Sequence, residues 1–290
     1  MTWLALVERH NKIFRRDKLS MFFSLLSVLI MLALYVLFLQ KTQLDSFEQQ
    51  MTITTDVRLL VSEWMIAGLL SISAITTTLG ALGIAVRDME FKVKADFLTA
   101  PISRTVLQLS YVINASIVGV FMSLIILIIA EIYLYIQGGL LLPFVVNLQL
   151  IGLIILSVFV ASAFNVMFVA FIDSLNAFSA LSTVLGTVIG FICGIYIPIG
   201  VLPEAVQKVI ILFPLSHSTV LFRDVLMSQT IDKVFHGLPK EVQTNYESMF
   251  GMVYQLGEYS FTPLVSIVIL VLCGIVFTSI AIVIMRMKNR

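Results

Sequence analysis

The 290-residue chain is 59% hydrophobic and only 12% charged, with a mean hydropathy of +1.04. Soluble domains run at roughly 45–50% apolar and 25% charged residues. A water-soluble core cannot use that much apolar surface, so lipid must solvate most of this chain. The net charge of +1 says little, because position matters more than the sum, and no nucleic-acid partner is expected. The two cysteines, Cys193 and Cys273, both lie in apolar runs, which indicates neither a disulfide framework nor a cysteine metal site.

Residues 1–18 form a distinct first element. Trp3, Leu4, Leu6, Val7, Ile13 and Phe14 alternate with Arg9, Lys12, Arg15, Arg16 and Lys18. This pattern suits a helix lying in the membrane interface, its apolar face in lipid. A merely basic flank would account for the charges, but Trp3 and Phe14 add a buried face.

A bilayer core about 30 Å thick needs about 20 apolar helical residues. Six segments qualify: Leu19 to Leu39, Met65 to Val86, Leu107 to Ile136, Phe144 to Ile172, Phe178 to Ile197, and Thr262 to Met285. The stretch from Val201 to Pro214 is too short to be a seventh. The first span is too long for a signal-peptide core, and no small-residue cleavage site follows it.

Lys and Arg counts orient the bundle. The N-terminal segment, the loop after the second span and the tail together carry twelve, and the opposite side carries six. The richer side is expected in the cytoplasm, with both termini.

The cytoplasmic loop at 87–104 interleaves charges of both signs with Met89, Phe91, Val93, Phe97 and Leu98, and Pro101 ends any helix before it. It reads as a short amphipathic helix for a cytosolic partner or as a solvated connector, and composition leaves the two even. The loop between the fourth and fifth spans is only Asp173 to Asn176, where Ser174 or Asn176 can cap the next helix. Residues 198–261 are the largest non-spanning region. There Val206, Val209, Ile210 and Phe213 recur at helical spacing between Pro203 and Pro214. This predicts a re-entrant or interfacial helix, with a second helix from about Ser216 through Leu226. Gly186, Gly190 and Gly194 repeat at every fourth position of the fifth span. Such a ladder permits close helix approach, either within the chain or across a homodimer.

Glu131 stands as the one acidic residue clearly inside an apolar run, close to the outer end of its span. A snorkelled or hydrogen-bonded role is favoured over an ion or proton relay. Asn114 and Asn165 are expected to hydrogen-bond between helices. His10, His217 and His236 are dispersed, which suggests neither a metal site nor a catalytic triad. No H-E-x-x-H is present, and no Gly is followed by Lys, so the phosphate loop of an ATPase is missing as well.

The layout resembles the membrane permease subunit of type-two ATP-binding-cassette (ABC) exporters, over the whole chain in order. Two stretches carry the likeness. Phe97-Leu98-Thr99-Ala100-Pro101-Ile102-Ser103-Arg104 is similar to that family's Leu-x-x-x-Pro-[Val/Ile]-[Ser/Thr] element. Tyr196-Ile197-Pro198-Ile199-Gly200-Val201-Leu202-Pro203, followed by Phe213-Pro214-Leu215-Ser216-His217, is similar to its Pro-[Ile/Leu]-x-x-[Leu/Met]-Pro … Pro-[Leu/Met]-[Ser/Thr]-[His/Tyr] run. The departure is a Glu-x-x-x-Gly-Thr motif that many members carry: here Lys92, Val93 and Lys94 follow Glu90 with no glycine.

The resemblance implies an all-α membrane protein of six transmembrane helices in one domain, with an N-terminal cytoplasmic interfacial helix and extracellular re-entrant helices before the sixth span. It further implies a homodimer in membrane lipid that docks two separate ABC ATPase subunits. ATP and magnesium would bind those partners, and no cofactor this chain. Docking residues would be Asp88, Glu90, Phe91, Lys92, Asp96, Phe97, Leu98 and Asp173, beside the interfacial-helix residues Trp3, Phe14, Arg15 and Arg16. The path would run along the first, second and fifth spans. Gly186, Gly190 and Gly194 would lie on a dimer or pathway face, and Pro198, Leu202, Pro203 and Pro214 would form an outer gate. The expected cargo is a hydrophobic drug, antimicrobial or lipid, since the first and fifth spans are poor in aromatic residues. Export of a polysaccharide or lipid-linked polymer, ion-coupled secondary transport and a sensory subunit are the rival readings. An intramembrane enzyme lacks a convergent nucleophile–base or metal set.

Overall fold

The computed structural model describes residues 2–48, 52–99, 102–257 and 259–287. They form a helical bundle, with one two-residue hairpin, β1 (Gln255–Leu256) and β2 (Tyr259–Ser260), paired antiparallel. Among the described residues six helices are long and apolar enough to cross a membrane, and the chain is an all-α multi-pass membrane protein.

Helix α1 (Thr2–Arg16) lies against the bundle. The first span is α2 (Lys18–Leu34), a π-helical turn (Tyr35–Leu39) and α3 (Gln40–Glu48). The Tyr35 side chain is buried at that turn, and its hydroxyl donates to the Val61 carbonyl at 2.7 Å. Helix α4 (Thr55–Glu90) is the axis of the bundle, packed on neighbours along its whole length. At 36 residues it extends about 54 Å, well beyond a bilayer core. Thr54 caps it by accepting from the Val57 amide at 3.3 Å.

After the short α5 (Val93–Thr99) come α6 (Arg104–Ile136), capped by Ser103, and α7 (Phe144–Val169), entered from Pro143. Helix α8 (Leu175–Ile192), capped by Ser174, ends before the expected Ile197. Gly194 takes φ +61° just past its end, a left-handed turn that glycine accommodates without strain. Helices α9 (Glu204–Leu212) and α10 (Ser216–Val234) meet at 88° across Pro214, which cannot continue a helix. Then follow α11 (Lys240–Met249), the hairpin and α12 (Pro263–Met287).

Packing in the bundle relies on small residues and hydroxyl pairs. A Cβ on Gly119 would sit 2.5 Å from Thr78 Cγ2 and 2.9 Å from Val158 Cγ1, so α4, α6 and α7 close on that glycine. Ser73 pairs with Ser123 at 3.1 Å, and Ser71 with Ser218 at 2.6 Å. Asn165 Nδ2 donates to the Ile75 carbonyl and the Thr78 hydroxyl, both at 2.9 Å. Asn114 departs from expectation: it is buried, with no hydrogen-bond partner among the described residues.

Candidate functional site

One end of the bundle holds a corner where α1, α4, α5 and α6 meet. Arg9 reaches Asp88 with both terminal nitrogens, Nη1 to Oδ2 at 2.6 Å and Nη2 to Oδ1 at 3.1 Å. This is the bidentate geometry that makes an Arg–carboxylate pair strong. The Tyr111 hydroxyl donates to the same Oδ2 at 2.6 Å, and the Arg9 guanidinium lies 5.0 Å above the Phe97 ring. His10 stacks on Tyr111 at 4.1 Å. The Ser110 hydroxyl donates to the Leu107 carbonyl, so it accepts the His10 Nε2 proton at 2.9 Å. His10 Nδ1 therefore accepts from Arg9 at 3.1 Å. Burial, reinforced by the Arg9 charge, pushes the imidazole down to about 4.

Two of the expected contact residues and faces lie in this corner. Asp88 faces inward and is consumed by Arg9 and Tyr111, so it offers no surface to a partner. Leu6, Val7, His10 and Phe14 turn toward the bundle rather than lipid, because α6 offers a packing face beside them. Trp3, Arg15 and Arg16 stay exposed.

The chain bends after α4, with Lys92 at φ +60°, and Phe91 projects outward at 63% exposure. Lys92 and Asp96 are exposed and Phe97 half-buried, while the Leu98 side chain and Pro101 fall outside the described set. Glu90 Oε2 accepts from the Leu175 amide at 3.0 Å, pinning this bend to the start of α8, beside the exposed Asp173.

The glycines of α8 do not form one open face. Gly186 is open, Gly190 is covered by the chain's own Tyr196 ring, and Gly194 lies beyond the helix in its left-handed turn. The exposed side of α8 instead carries Ser179, Thr183, Val184, Thr187 and Val188.

The opposite end is a cap built on Arg223. It is fully buried, with Nη2 donating to Gly194 O at 2.9 Å and Cys193 O at 3.4 Å, and Nη1 to Gly251 O at 3.2 Å. Its guanidinium stacks 4.8 Å over Trp64, whose Nε1 donates to Phe250 O at 2.8 Å. One cation thus gathers carbonyls at the C-terminal ends of α8 and α11, where helix dipoles favour positive charge. His217 Nε2 donates to Ile211 O at 2.9 Å, so its Nδ1 accepts from Ser266 at 3.0 Å, fastening the 88° bend to α12. Pro198 lies beside this cap with Leu202 and Pro214, all partly covered, and Pro203 is exposed.

An open groove of about 580 Å³ runs along the cap between Leu39, Thr42 and Gln43 of the first span, Tyr196 to Val201, and α11. Among the described residues no charged side chain lines it.

Two charged residues, Glu63 and Arg223, are buried against expectation. Glu63 sits inside α4 with only 6% exposure, so Glu131 is not the one acidic residue within an apolar run. Glu131 itself staples a turn, its Oε1 accepting from Leu142 N and Asn147 Nδ2, both at 3.1 Å. Arg223, one of the six cations counted on the less basic side, is buried in the cap. Both had a visible signal: apolar residues on either side, Leu59-Leu60-Val61 and Trp64-Met65-Ile66 for Glu63, Val220-Leu221-Phe222 and Val225-Leu226-Met227 for Arg223.

A bundle of membrane-crossing helices with an exposed, latched elbow at one end and a bent-helix cap at the other defines a multi-pass permease. Residues 1–227 match the family model for the ABC-2 type transporter, and the chain belongs to that family. It is the membrane permease component of a type-two ABC transporter, and the ATPase resides on a separate partner subunit. No curated protein matches the chain.

Proposed function

We propose that two copies of this permease pair in a bacterial plasma membrane, with both termini cytoplasmic. Each copy docks one ATPase at the α1–α5 corner, and the complex exports a hydrophobic drug, antimicrobial or lipid-like substrate. The observation that carries this reading is Phe91. It is an exposed ring on a bend whose neighbours are tied into the bundle by Arg9–Asp88 and Glu90–Leu175. A partner gripping Phe91, Lys92, Asp96 and the adjacent Asp173 would push on α4 directly, through Phe97, Arg9 and Asp88. Because α4 is one unbroken helix, that push reaches Trp64 and the Arg223 cap at the far end.

The path follows the exposed sides of α2 and α8 and leaves along the 580 Å³ groove. A path or second copy along α8 is supported by its more polar exposed side, with Ser179, Thr183 and Thr187, where the exposed side of α12 is mainly aliphatic. A groove without ionised side chains suits an uncharged or apolar cargo. Four rings along it, Tyr196, Phe235, Tyr246 and Phe250, keep polymer export as the second reading.

The test is co-purification with a stand-alone ABC ATPase, with ATP hydrolysis measured in the complex. Phe91→Asp should uncouple hydrolysis from transport while the permease stays folded. Unchanged coupling after residues 91–98 are replaced by a Gly/Ser linker would sink the docking assignment. Sensitivity of a deletion strain to toxic amphiphiles separates the cargo readings: increased sensitivity supports the drug reading, and none favours lipid or polymer.

A further inference from the structure

Two charged side chains from other helices grip the two ends of α8. At its start, Glu90 Oε2 from the last residue of α4 accepts from the Leu175 amide at 3.0 Å. Leu175 opens α8, whose own first turn holds no acidic residue, and the Ser174 hydroxyl accepts from the Ala177 amide at 3.3 Å. Just past its finish, Arg223 of α10 donates to the carbonyls of Cys193 and Gly194. A helix carries positive potential at its first amides and negative potential at its last carbonyls. A carboxylate at the start and a guanidinium at the finish therefore both hold it favourably.

Between these grips the helix is held loosely. Ile189 and Gly190 are its only buried residues, and both lie at the Arg223 end. Near the start, Gly83 of α4 lets the Phe178 ring lie close, 3.0 Å from where a Cβ would stand. Leu181 and Leu185 are only partly buried against the core. A helix fastened at its ends and bare along its middle passes a displacement of one end to the other, as whole helices do when they shift within a bundle.

Glu90 stands beside Phe91 and two positions before Lys92, whose φ of +60° makes the bend. The side chain is exposed, and one exposed hydrogen bond contributes too little to decide whether the bundle folds. The resemblance placed Glu90 among the docking residues, but one of its carboxylate oxygens is turned to α8.

We propose that Glu90 is a positioning residue of the transport cycle rather than a docking contact. When the partner ATPase displaces the α4–α5 bend, the carboxylate draws the start of α8 with it, and α8 relays the shift to the Arg223 cap. The role rests on the docking reading of Phe91 and adds a second line of transmission beside α4.

The test uses the permease co-purified with its ATPase, with Cys193 and Cys273 replaced by Ala and bimane attached at Thr183→Cys, exposed on the middle of α8. Bimane emission should shift between the nucleotide-free complex and the complex trapped with ATP and vanadate. Glu90→Ala should keep its helical circular dichroism, bind the ATPase, hydrolyse ATP, and lose the shift. Glu90→Gln keeps an oxygen to accept from the Leu175 amide and should restore most of it. Release of the ATPase by Glu90→Ala would make Glu90 a docking contact and overturn the positioning role, while the docking reading would survive. A full shift in Glu90→Ala, a Glu90→Gln variant no better than Glu90→Ala, no shift in the chain that keeps Glu90, or failure of Glu90→Ala to fold would each overturn it too. A Phe91→Asp complex that keeps both coupling and shift would instead overturn the docking reading on which the role rests, an outcome the Glu90 variants do not produce.

Discussion

Arg223 and His10 are buried ionisable residues held in opposite charge states. Arg223 keeps its charge because three backbone carbonyls from two helix ends converge on it. Arg223→Met should destabilise the cap by about 3 kcal/mol, since the freed carbonyls lose their donors. Denaturant unfolding in detergent measures this, and Arg223→Lys should recover only part, because one ammonium cannot span both helix ends. His10 is held neutral, its Nδ1 facing the Arg9 guanidinium. Its pKa falls from the ordinary 6.5 to about 4 in the fold, so the unfolded chain binds more protons between those values. Stability from this group is full above about pH 6.5 and drains away as pH drops toward 4, by about 3 kcal/mol at most. The charged groups facing it are Arg9 and Asp88. Protease cleavage near α1 should therefore accelerate at pH 4.5 relative to pH 7, and His10→Gln should flatten that dependence.

Among helices, the sequence made existence legible and extent less so. A hydropathy window finds the apolar middle of α4 but starts at Met65, because Arg58 and Glu63 look like loop residues until a neighbouring helix is seen to cover the second. The 88° break was readable from Pro203 and Pro214 alone, since proline chemistry is local. The inward face of α1 was not, because interfacial and bundle-packed helices share one amphipathic pattern and only α6 decides between them. The glycine ladder misled for a related reason: its spacing assumed a helix through Gly194, and α8 stops at Ile192. Glycine matters more at position 119, on the helix where no ladder was noticed. Gly119→Val should cost about 2 kcal/mol by prising α6 from α4 and α7, read as a lower unfolding midpoint.

For the whole molecule, three of the spans find little cover within one chain. The spans α2, α8 and α12 are each mostly exposed, and under the proposed pairing lipid and a second copy share them. That proposed pairing puts the more polar side of α8 toward the second copy and aliphatic α12 toward lipid. In a chain with Cys193 and Cys273 replaced by Ala, a cysteine at Val184 should crosslink copies in membranes, whereas one at Val271 should stay monomeric. Crosslinking at Val271 alone would reverse the arrangement.

The π-helical turn in the first span has a rotational consequence. It inserts one residue more than a regular helix would use between α2 and α3. Each residue of an α-helix turns the chain by about 100°, so Leu39, Thr42 and Gln43 face the groove only because of that surplus residue. Deleting Val36 would leave the hydropathy of the span almost untouched, yet it would swing this wall of the groove away. Turns of this kind act as a phase adjuster, and relaxing it during a transport cycle would open or shut one side of the groove without bending any helix.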